Sequence, residues 1–216
     1  KNETALLKLD PLQDGLIELK KRYPHCSAWI HAAINNSLSY KRFIYNLPID
    51  DYISELMPIG KKKMIGTSIA AFRYDIPGHT EINRDWHQDF TYVPDSEDSL
   101  ASWLPLNNVT KENGALRVCK ESHKNGHYKT TFQPSDQYKS EQYVVSQEIV
   151  DQFSQEILEA EKGDIAFFHM DMLHRSGENL SNHIRYSSQY RFVNIEAPDY
   201  RPVRFSRMYD EFDRHG

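Results

Sequence analysis

The sequence predicts a mainly β domain, a double-stranded β-helix (a cupin-like jelly roll), with N-terminal helices packed on one sheet. From residue 64 onward, short segments alternate polar and apolar side chains with the period of two that a strand requires. Glycine, proline and Asn-Gly pairs separate these segments, as turns between antiparallel strands do. About eight strands are predicted, enough for two facing sheets, and the residues before them carry apolar side chains at helical spacing.

Composition indicates one folded domain without a nucleic-acid or membrane partner. The chain has 216 residues, of which 39% are hydrophobic and 12% aromatic, and we assign residues 1–216 to a single domain. A net charge of −5 argues against a general nucleic-acid or anionic-membrane surface. The sequence has no apolar run of membrane-spanning length and no signal-peptide pattern at its amino end. It contains two cysteines, Cys26 and Cys119, so we expect a reducing, cytoplasmic location.

Residues 1–63 are predicted to be mostly helical. Apolar residues at helical spacing indicate a first helix before Pro24, a second stretch over residues 27–45 and a third over residues 49–57. We expect these helices to cover one face of the sheet with their apolar sides. The lysine run at residues 61–63 follows a glycine and is interpreted as a solvated turn.

The jelly-roll core is assigned to residues 64–194 and a C-terminal tail to residues 195–216. Strand segments within the core combine β-branched, aromatic and alternating residues with a nearby turn signal. The predicted strands cover residues 67–75, 87–92, 101–106, 115–119, 155–160, 165–170 and 185–193. At residues 145–160 the pattern also fits a helix, and a strand is preferred for the last six. Residues 120–138 are predicted to form a loop.

The segment Trp86-His87-Gln88-Asp89 is the centre of the candidate site. On an extended strand successive side chains point to opposite faces, so His87 and Asp89 share one face. His174, just beyond another apolar strand, offers a third ligand, and Arg185 follows it by eleven positions. Two histidines and one carboxylate that leave the opposite metal positions open suit non-haem Fe(II) oxygen chemistry. A His-x-Asp pattern alone is common, so the prediction of a metal site depends on the additional presence of His174 and Arg185.

The last predicted strand places Arg185, Ser187, Gln189 and Arg191 on one face. Burying two arginines inside a barrel costs free energy unless they bind an anion. The alternative is that this face of the strand points outward into solvent. The opposite face carries aromatic residues that are better suited to packing under the helices: Tyr186, Tyr190 and Phe192. An inward Arg185 can bind a dicarboxylate through a bidentate fork, with the Ser187 hydroxyl as a helper.

Further motifs follow the Trp86–Asp89 segment in a characteristic order. They are Trp103-Leu104-Pro105-Leu106, Glu112-Asn113-Gly114-Ala115-Leu116, Ser122-His123-Lys124, Gly163-Asp164, Phe167-Phe168-His169, and His174 with Ser176, Asn179 and Arg185. Together they resemble the phytanoyl-CoA dioxygenase family over residues 64–194. Members of that family are Fe(II)- and 2-oxoglutarate-dependent oxygenases on a jelly-roll core.

The resemblance implies a role for each matched position. His87, Asp89 and His174 would bind iron. Arg185 would bind the distal carboxylate of 2-oxoglutarate, and Trp103 would line the pocket of this cosubstrate. Related halogenases replace the carboxylate ligand with a small residue, so the Asp89 retained here indicates a hydroxylase or a related oxidase.

Two other histidine patterns are weaker candidates. His169 competes with His174 for the third metal position, but the spacing to Arg185 favours His174. The second pattern is a possible zinc site with ligands four residues apart: Cys119, His123 and His127. An Asn-Gly turn between them breaks the helix that would be needed to align these ligands. One departure from the family is Lys120-Glu121 in place of Pro-Gly, which leaves the shape of that loop open.

Substrate contacts are expected from positions that face the same cavity as the metal: Arg73, Tyr92, Gln189 and Arg191. Each of these side chains suits a structural hydrogen-bonding role equally well. Two segments could close over a bound substrate: residues 95–100 and residues 200–216. The alternative is that they only cover an edge of the barrel.

The sequence therefore predicts a 2-oxoglutarate-dependent dioxygenase that uses Fe(II), 2-oxoglutarate and O2. It would hydroxylate a small polar metabolite and release succinate and CO2. Two alternatives stay open: a non-catalytic jelly roll that binds metal or ligand, and a cupin-like isomerase or epimerase that uses histidines as acid and base. The intact set of predicted metal and cosubstrate ligands favours the oxygenase.

Overall fold

The computed structural model describes residues 9–57, 64–80, 83–134 and 141–202. Four helices in this part of the chain precede the sheets: α1 (Asp14–Arg22), α2 (Cys26–Asn36), α3 (Leu38–Tyr45) and α4 (Asp50–Leu56). Strands follow, with a one-turn helix, α5 (Gln147–Val150), in the second half of the chain. The lysine run at residues 61–63 lies outside the described residues.

The predicted N-terminal helices are present within residues 9–57, but the stretch over residues 27–45 contains a break between two helices. Ser37 has an extended backbone (φ −68°, ψ 142°), and its hydroxyl accepts a hydrogen bond from the Tyr40 amide at 3.1 Å. A serine at this position satisfies an amide that the first turn of a helix leaves unpaired, so α3 starts here. Apolar spacing continues across the break, which is why the sequence indicated one stretch.

The strands form two antiparallel sheets and one hairpin. They are β1 (Ile65–Asp75), β2 (Ser99–Pro105), β3 (Leu116–Cys119), β4 (Thr131–Pro134), β5 (Glu141–Val144), β6 (Gln155–Leu158), β7 (Ala166–His169), β8 (His174–Arg175) and β9 (Arg185–Asn194). The larger sheet has the order β1-β9-β2-β7 and the smaller one β6-β3-β8, while β4 pairs with β5. The chain passes repeatedly from one sheet to the other, so the fold is the predicted jelly roll.

The helices cover one face of the larger sheet. Tyr190 and Phe192 of β9 pack with Tyr40 of α3 and Ile53 of α4 in one buried cluster. Tyr186, on the same face of β9, packs against side chains of α1 in a second cluster. The aromatic face of β9 therefore lies under the helices as predicted. The alternate side chains of that strand consequently face the inside of the jelly roll.

Two local predictions are wrong. The strand expected over residues 87–92 is reduced to a single bridge at His87, and Asp89–Thr91 form a 3-10 turn. Within the loop expected over residues 120–138, Ser122–Asn125 form another 3-10 turn and β4 pairs with β5, while residues 135–138 lie outside the described residues. All four residues of β4 are exposed, so it lacks the half-buried alternation by which a strand is identified.

The jelly-roll strands begin at Ile65 and end at Asn194, close to the core boundaries expected from the sequence. The assignment of residues 1–216 to a single domain stays a prediction. Among the described residues, no helix combines the length and the apolar character needed to cross a membrane.

Ile53 tests the packing of the helices on the sheet. It is 1% exposed, whereas its neighbour on α4, Tyr52, is 62% exposed. We expect Ile53→Ala to lower the free energy of unfolding by about 2–5 kcal/mol, because it leaves a cavity in the cluster. The control Tyr52→Ala should change it by less than about 0.5 kcal/mol. Urea unfolding followed by circular dichroism measures both, and equal losses would contradict this packing.

Candidate metal centre

The two histidines of the site are held opposite each other by a reciprocal pair of backbone hydrogen bonds. The His87 amide donates to the His174 carbonyl at 3.0 Å, and the His174 amide donates to the His87 carbonyl at 3.1 Å. His174 lies on β8, which pairs with β3 through Val118. Residues that face each other in an antiparallel pair project their side chains from the same face. The two imidazole rings accordingly lie with their centroids 4.2 Å apart.

Asp89 reaches the histidines from a turn rather than from the predicted strand. Its Oδ1 lies 3.8 Å from His87 Nε2 and 4.0 Å from His174 Nε2. One ligand atom from each of the three buried side chains lies within 4.8 Å of the others, a spacing at which they could hold one metal ion. The structure thus brings the three predicted ligands together, and their binding of iron stays a prediction.

The second ring nitrogen of each histidine faces a backbone carbonyl. Nδ1 of His87 lies 2.6 Å from the Asp85 carbonyl oxygen, and Nδ1 of His174 lies 2.9 Å from that of Met172. A carbonyl oxygen only accepts hydrogen bonds, so each Nδ1 carries the proton and each Nε2 presents its lone pair. Metal-binding histidines are commonly oriented by an outer partner of this kind.

Burial and nearby charges keep the three groups in the protonation states that a metal ion requires. Burial, together with the neighbouring His174, lowers the pKa of His87 to about 3, and burial also lowers the pKa of His174. Burial alone would raise the pKa of Asp89, but the Arg191 guanidinium at 2.7 Å and the two imidazoles outweigh it and lower that pKa. At neutral pH the site therefore offers two neutral imidazoles and one carboxylate.

The cluster opens into a cavity of about 310 Å³ lined by residues of both sheets. Five residues expected near the metal from the sequence line it: Arg73, Tyr92, Trp103, Gln189 and Arg191. Their roles in cosubstrate or substrate binding stay predictions. Arg84 also lines the cavity, and sequence reasoning missed it. It lies in a loop, where neither strand period nor motif could mark it.

Arg185 points into the barrel and is 1% exposed, but its partner is a carboxylate of the chain itself. It lies opposite Asp75 in the β1–β9 pair, with Nη2 2.7 Å from Asp75 Oδ2. Arg73 lies 2.7 Å from the other oxygen of the same carboxylate. Burial would raise the pKa of Asp75, but the two guanidinium groups lower it to about 2. The inward position predicted for Arg185 is thus observed, although Arg185 does not line the metal cavity.

Sequence reasoning missed Asp75 as well. It lies on the same face of β1 as Arg73, two positions along the strand, and this shared face is the signal that could have identified it.

Several buried polar atoms inside the barrel have no hydrogen-bond partner in the described part of the chain. They include the indole Nε1 of Trp103 and the hydroxyl of Ser187. Trp103 lines the cavity, and Ser187 lies on the inward face of β9 next to Arg185 in the alternation. A buried polar group without a partner costs about 1–3 kcal/mol, so both groups fit a ligand that accepts hydrogen bonds. The carboxylates of 2-oxoglutarate have this property.

The weaker histidine candidates lie away from the cavity. His169 stacks on His123 with 5.8 Å between ring centroids, and His127 lies 3.2 Å from the carboxylate of Asp171. None of these side chains lines the metal cavity. Cys119 is a buried free thiol. The structure therefore favours His174 over His169 as the third ligand.

Glu121 has the backbone conformation that glycine most readily adopts. Its φ is 61°, in the left-handed region, and the 3-10 turn Ser122–Asn125 follows it. Few residues other than glycine take this conformation. Lys120-Glu121 therefore retains a left-handed residue where the family resemblance has Pro-Gly.

The first candidate cover is tied to the end of the described chain. The Ser96 hydroxyl donates to Asp199 Oδ1 at 2.8 Å, and the Arg201 amide donates to the Asp95 carbonyl at 2.7 Å. Residues 95–100 do not line the metal cavity, so their role as a cover stays a prediction. Most of the second candidate, residues 203–216, lies outside the described residues.

Comparison with known proteins gives one family and several relatives. Residues 54–187 match the family model for phytanoyl-CoA dioxygenase (PhyH). Phytanoyl-CoA dioxygenase of Arabidopsis thaliana is 28% identical over 203 residues, which cover 89% of this chain and 56% of that protein. Phytanoyl-CoA dioxygenase 1 of Oryza sativa subsp. japonica is 31% identical over 121 residues, covering 51% of this chain and 39% of that protein. The chain thus spans about half the length of these relatives, or less.

Solved structures share the fold. The crystal structure of EctD from S. alaskensis with 2-oxoglutarate and 5-hydroxyectoine matches with a TM-score of 0.57 and 16% identity. The match covers 76% of this chain and 55% of that one. At this identity the similarity shows the jelly-roll fold alone.

His174 and His169 give a matched test of the third ligand. We expect His174→Ala to weaken binding of Ni(II), a redox-stable substitute for Fe(II), by at least about 100-fold. His169→Ala, which changes a histidine outside the cavity, should leave the Ni(II) affinity unchanged. Calorimetric titration of both purified variants measures the difference. A loss confined to His169→Ala would assign the third position to that residue instead.

Proposed function

Because the chain belongs to the phytanoyl-CoA dioxygenase family, we propose that it is an Fe(II)- and 2-oxoglutarate-dependent oxygenase. On this proposal it hydroxylates a small polar metabolite and releases succinate and CO2. The supporting observation is the buried cluster of His87, Asp89 and His174, whose ligand atoms lie within 4.8 Å of one another beside a cavity. Two histidines and one carboxylate are the ligands that suit this class of iron enzyme.

Each side chain of the cluster has a defined task. The two imidazoles and Asp89 hold Fe(II), which together with 2-oxoglutarate supplies the oxidising chemistry that protein side chains lack. The carbonyls of Asp85 and Met172 keep Nε2 of each histidine directed at the metal position. Arg191 donates to Asp89 at 2.7 Å, so the carboxylate stays ionised and fixed in orientation.

We assign 2-oxoglutarate binding to the inward groups of β9 and β2, with Arg73 of β1 beside them. Arg73 and Arg185 both lie 2.7 Å from the Asp75 carboxylate, which holds the two guanidinium groups side by side. Guanidinium N–H groups are the donors that the distal carboxylate of 2-oxoglutarate accepts. The Trp103 indole and the Ser187 hydroxyl supply further donors, because both are buried without a partner among the described residues.

Hydroxylation of a small compound is the reaction that the cavity and the comparisons favour. A volume of about 310 Å³ lies at the lower end of the range for small-molecule sites. EctD, which shares the fold, binds 5-hydroxyectoine together with 2-oxoglutarate in its crystal structure. A non-catalytic jelly roll and an isomerase that uses histidines as acid and base remain the alternatives, and neither of them would form succinate.

The reaction class is tested by anaerobic titration with Fe(II) and 2-oxoglutarate. We expect the weak visible absorption band of iron chelated by 2-oxoglutarate, and succinate once O2 is admitted. Asp89→Ala should need more Fe(II) for both signals, because the metal loses the anionic member of the predicted ligand set. The absence of both the band and succinate in the wild-type chain would support the non-catalytic alternative, and substrate conversion without succinate would support the isomerase.

Arg185→Gln tests the cosubstrate assignment. We expect its affinity for 2-oxoglutarate to fall by more than about tenfold, since a buried charge-assisted contact is removed. Ni(II) binding should persist, which shows that the variant is folded. Arg117→Gln is the control, because Arg117 is a half-buried arginine in a different cleft. An unchanged affinity for 2-oxoglutarate in Arg185→Gln would show that another group binds the cosubstrate.

A further inference from the structure

Arginines dominate the charged lining of the metal cavity. Arg73, Arg84 and Arg191 line it, and Asp89 is the acidic side chain among the lining residues. Arg73 is paired with Asp75 and Arg191 with Asp89, each at 2.7 Å. Arg84 differs, because in the described part of the chain its guanidinium contacts the Tyr92 ring and has no carboxylate partner.

The position of Arg84 is fixed by Ser176, the residue that follows the strand carrying a predicted metal ligand. Its amide donates to Ser176 Oγ at 3.1 Å, and its carbonyl accepts from the Ser176 amide at 2.9 Å, two residues after His174. The guanidinium lies 5.7 Å from the centre of the Tyr92 ring, a cation–π contact. The Tyr92 ring is in turn edge-on to His87, with 5.7 Å between ring centres. The Tyr92 ring therefore contacts both this guanidinium and one side chain of the metal cluster.

A guanidinium in this environment attracts an anion. Arg84 is half-buried, so it has lost part of its water, and two more arginines share the cavity. Removing a charge from water without a counter-ion is costly, and like charges nearby add to that cost. A carboxylate offsets both effects, and its two oxygens match the two parallel N–H groups of a guanidinium.

The charges around the cavity leave a positive excess after the cosubstrate is counted. Among the described residues, three lining arginines stand against two carboxylates: Arg73 pairs with Asp75 and Arg191 pairs with Asp89, which leaves Arg84. In the proposed enzyme, a divalent iron and the 2-oxoglutarate dianion cancel each other. The positive excess therefore remains for the substrate. Arg84 is the arginine of this set that lacks a carboxylate partner within the described residues.

We propose that the substrate is a small carboxylic acid whose carboxylate is bound by Arg84. This inference rests on the proposed function and names the substrate class for the same site. The cavity of about 310 Å³ must also hold 2-oxoglutarate, which favours a compact acid over a nucleotide or another large phosphate ester. The carboxylate lies beside Tyr92, and the carbon to be hydroxylated lies on the metal side of that ring.

The test is calorimetric titration of the chain loaded with Ni(II) and 2-oxoglutarate. The probes are butanoate, benzoate and phenylacetate, each compared with its primary amide, which has nearly the same shape without the charge. Inorganic phosphate is the second anion. The variants are Arg84→Gln, Arg84→Lys and, as the matched control from a different cleft, Arg117→Gln.

We expect at least one acid to bind the wild-type chain, and its amide to bind at least about tenfold more weakly. Arg84→Gln should weaken binding of that acid by at least about tenfold, whereas Arg117→Gln should leave it unchanged. Arg84→Lys should retain part of the affinity, because lysine keeps the charge but not the two-pronged geometry.

Several results would overturn the inference. The wild-type chain could bind none of the three acids, or it could bind an acid and its amide equally well. Arg84→Gln could also bind the acid as tightly as the wild-type chain does. Phosphate binding tighter than that of every acid would overturn the carboxylate class. A loss of 2-oxoglutarate affinity in Arg84→Gln would assign Arg84 to the cosubstrate and likewise reject the proposal.

Failure of the proposed function is separately visible. A wild-type chain that binds acids through Arg84 but forms no succinate from Fe(II), 2-oxoglutarate and O2 would keep the anion site and lose the oxygenase assignment.

Discussion

The reciprocal hydrogen-bond pair between His87 and His174 is the constraint on which the candidate site depends. It joins a residue just before a turn to a strand of two residues, so neither segment needs extended regular structure of its own. The residue before β8 is secured as well, since the Leu173 carbonyl accepts from the Cys119 amide at 2.8 Å. A slip of one residue in this pairing would send the two rings to opposite faces and would separate the ligands.

Asp75 and Asp89 are buried carboxylates inside the barrel, and their neighbours suit them to different partners. Asp89 has two neutral imidazoles and one guanidinium as neighbours, so a cation can approach it from the histidine side. Asp75 lies between Arg73 and Arg185, which engage both of its oxygens. A metal ion at Asp75 would meet two fixed positive charges. The same side-chain chemistry therefore supports a metal site at one position and an arginine anchor at the other.

The sequence predicted the long elements and the three residues of the metal cluster, but not the groups that position them. β1 and β9 alternate over many residues, so both strands were identified from their period. The strand predicted for Asp89 is wrong because ligands two residues apart occur both on a strand and in a short turn. Only the three-dimensional path of the chain distinguishes the two cases. The roles of Asp75 and Arg84 depend on partners across the sheet and in a loop. A single sequence does not contain the register that brings such partners together.

The packing of the helices on β9 also fixes the chemistry inside the barrel. Residues at alternate positions of β9 must face opposite ways, so burying Tyr190 and Phe192 under the helices turns Arg185 and Arg191 inward. A shift of one residue would place charged side chains against the apolar helices and aromatic rings in the cavity. Both changes carry a free-energy cost, the first from burying unpaired charge and the second from removing apolar packing. The register that holds a guanidinium beside Asp89 is thus selected by hydrophobic contacts on the opposite face of the sheet.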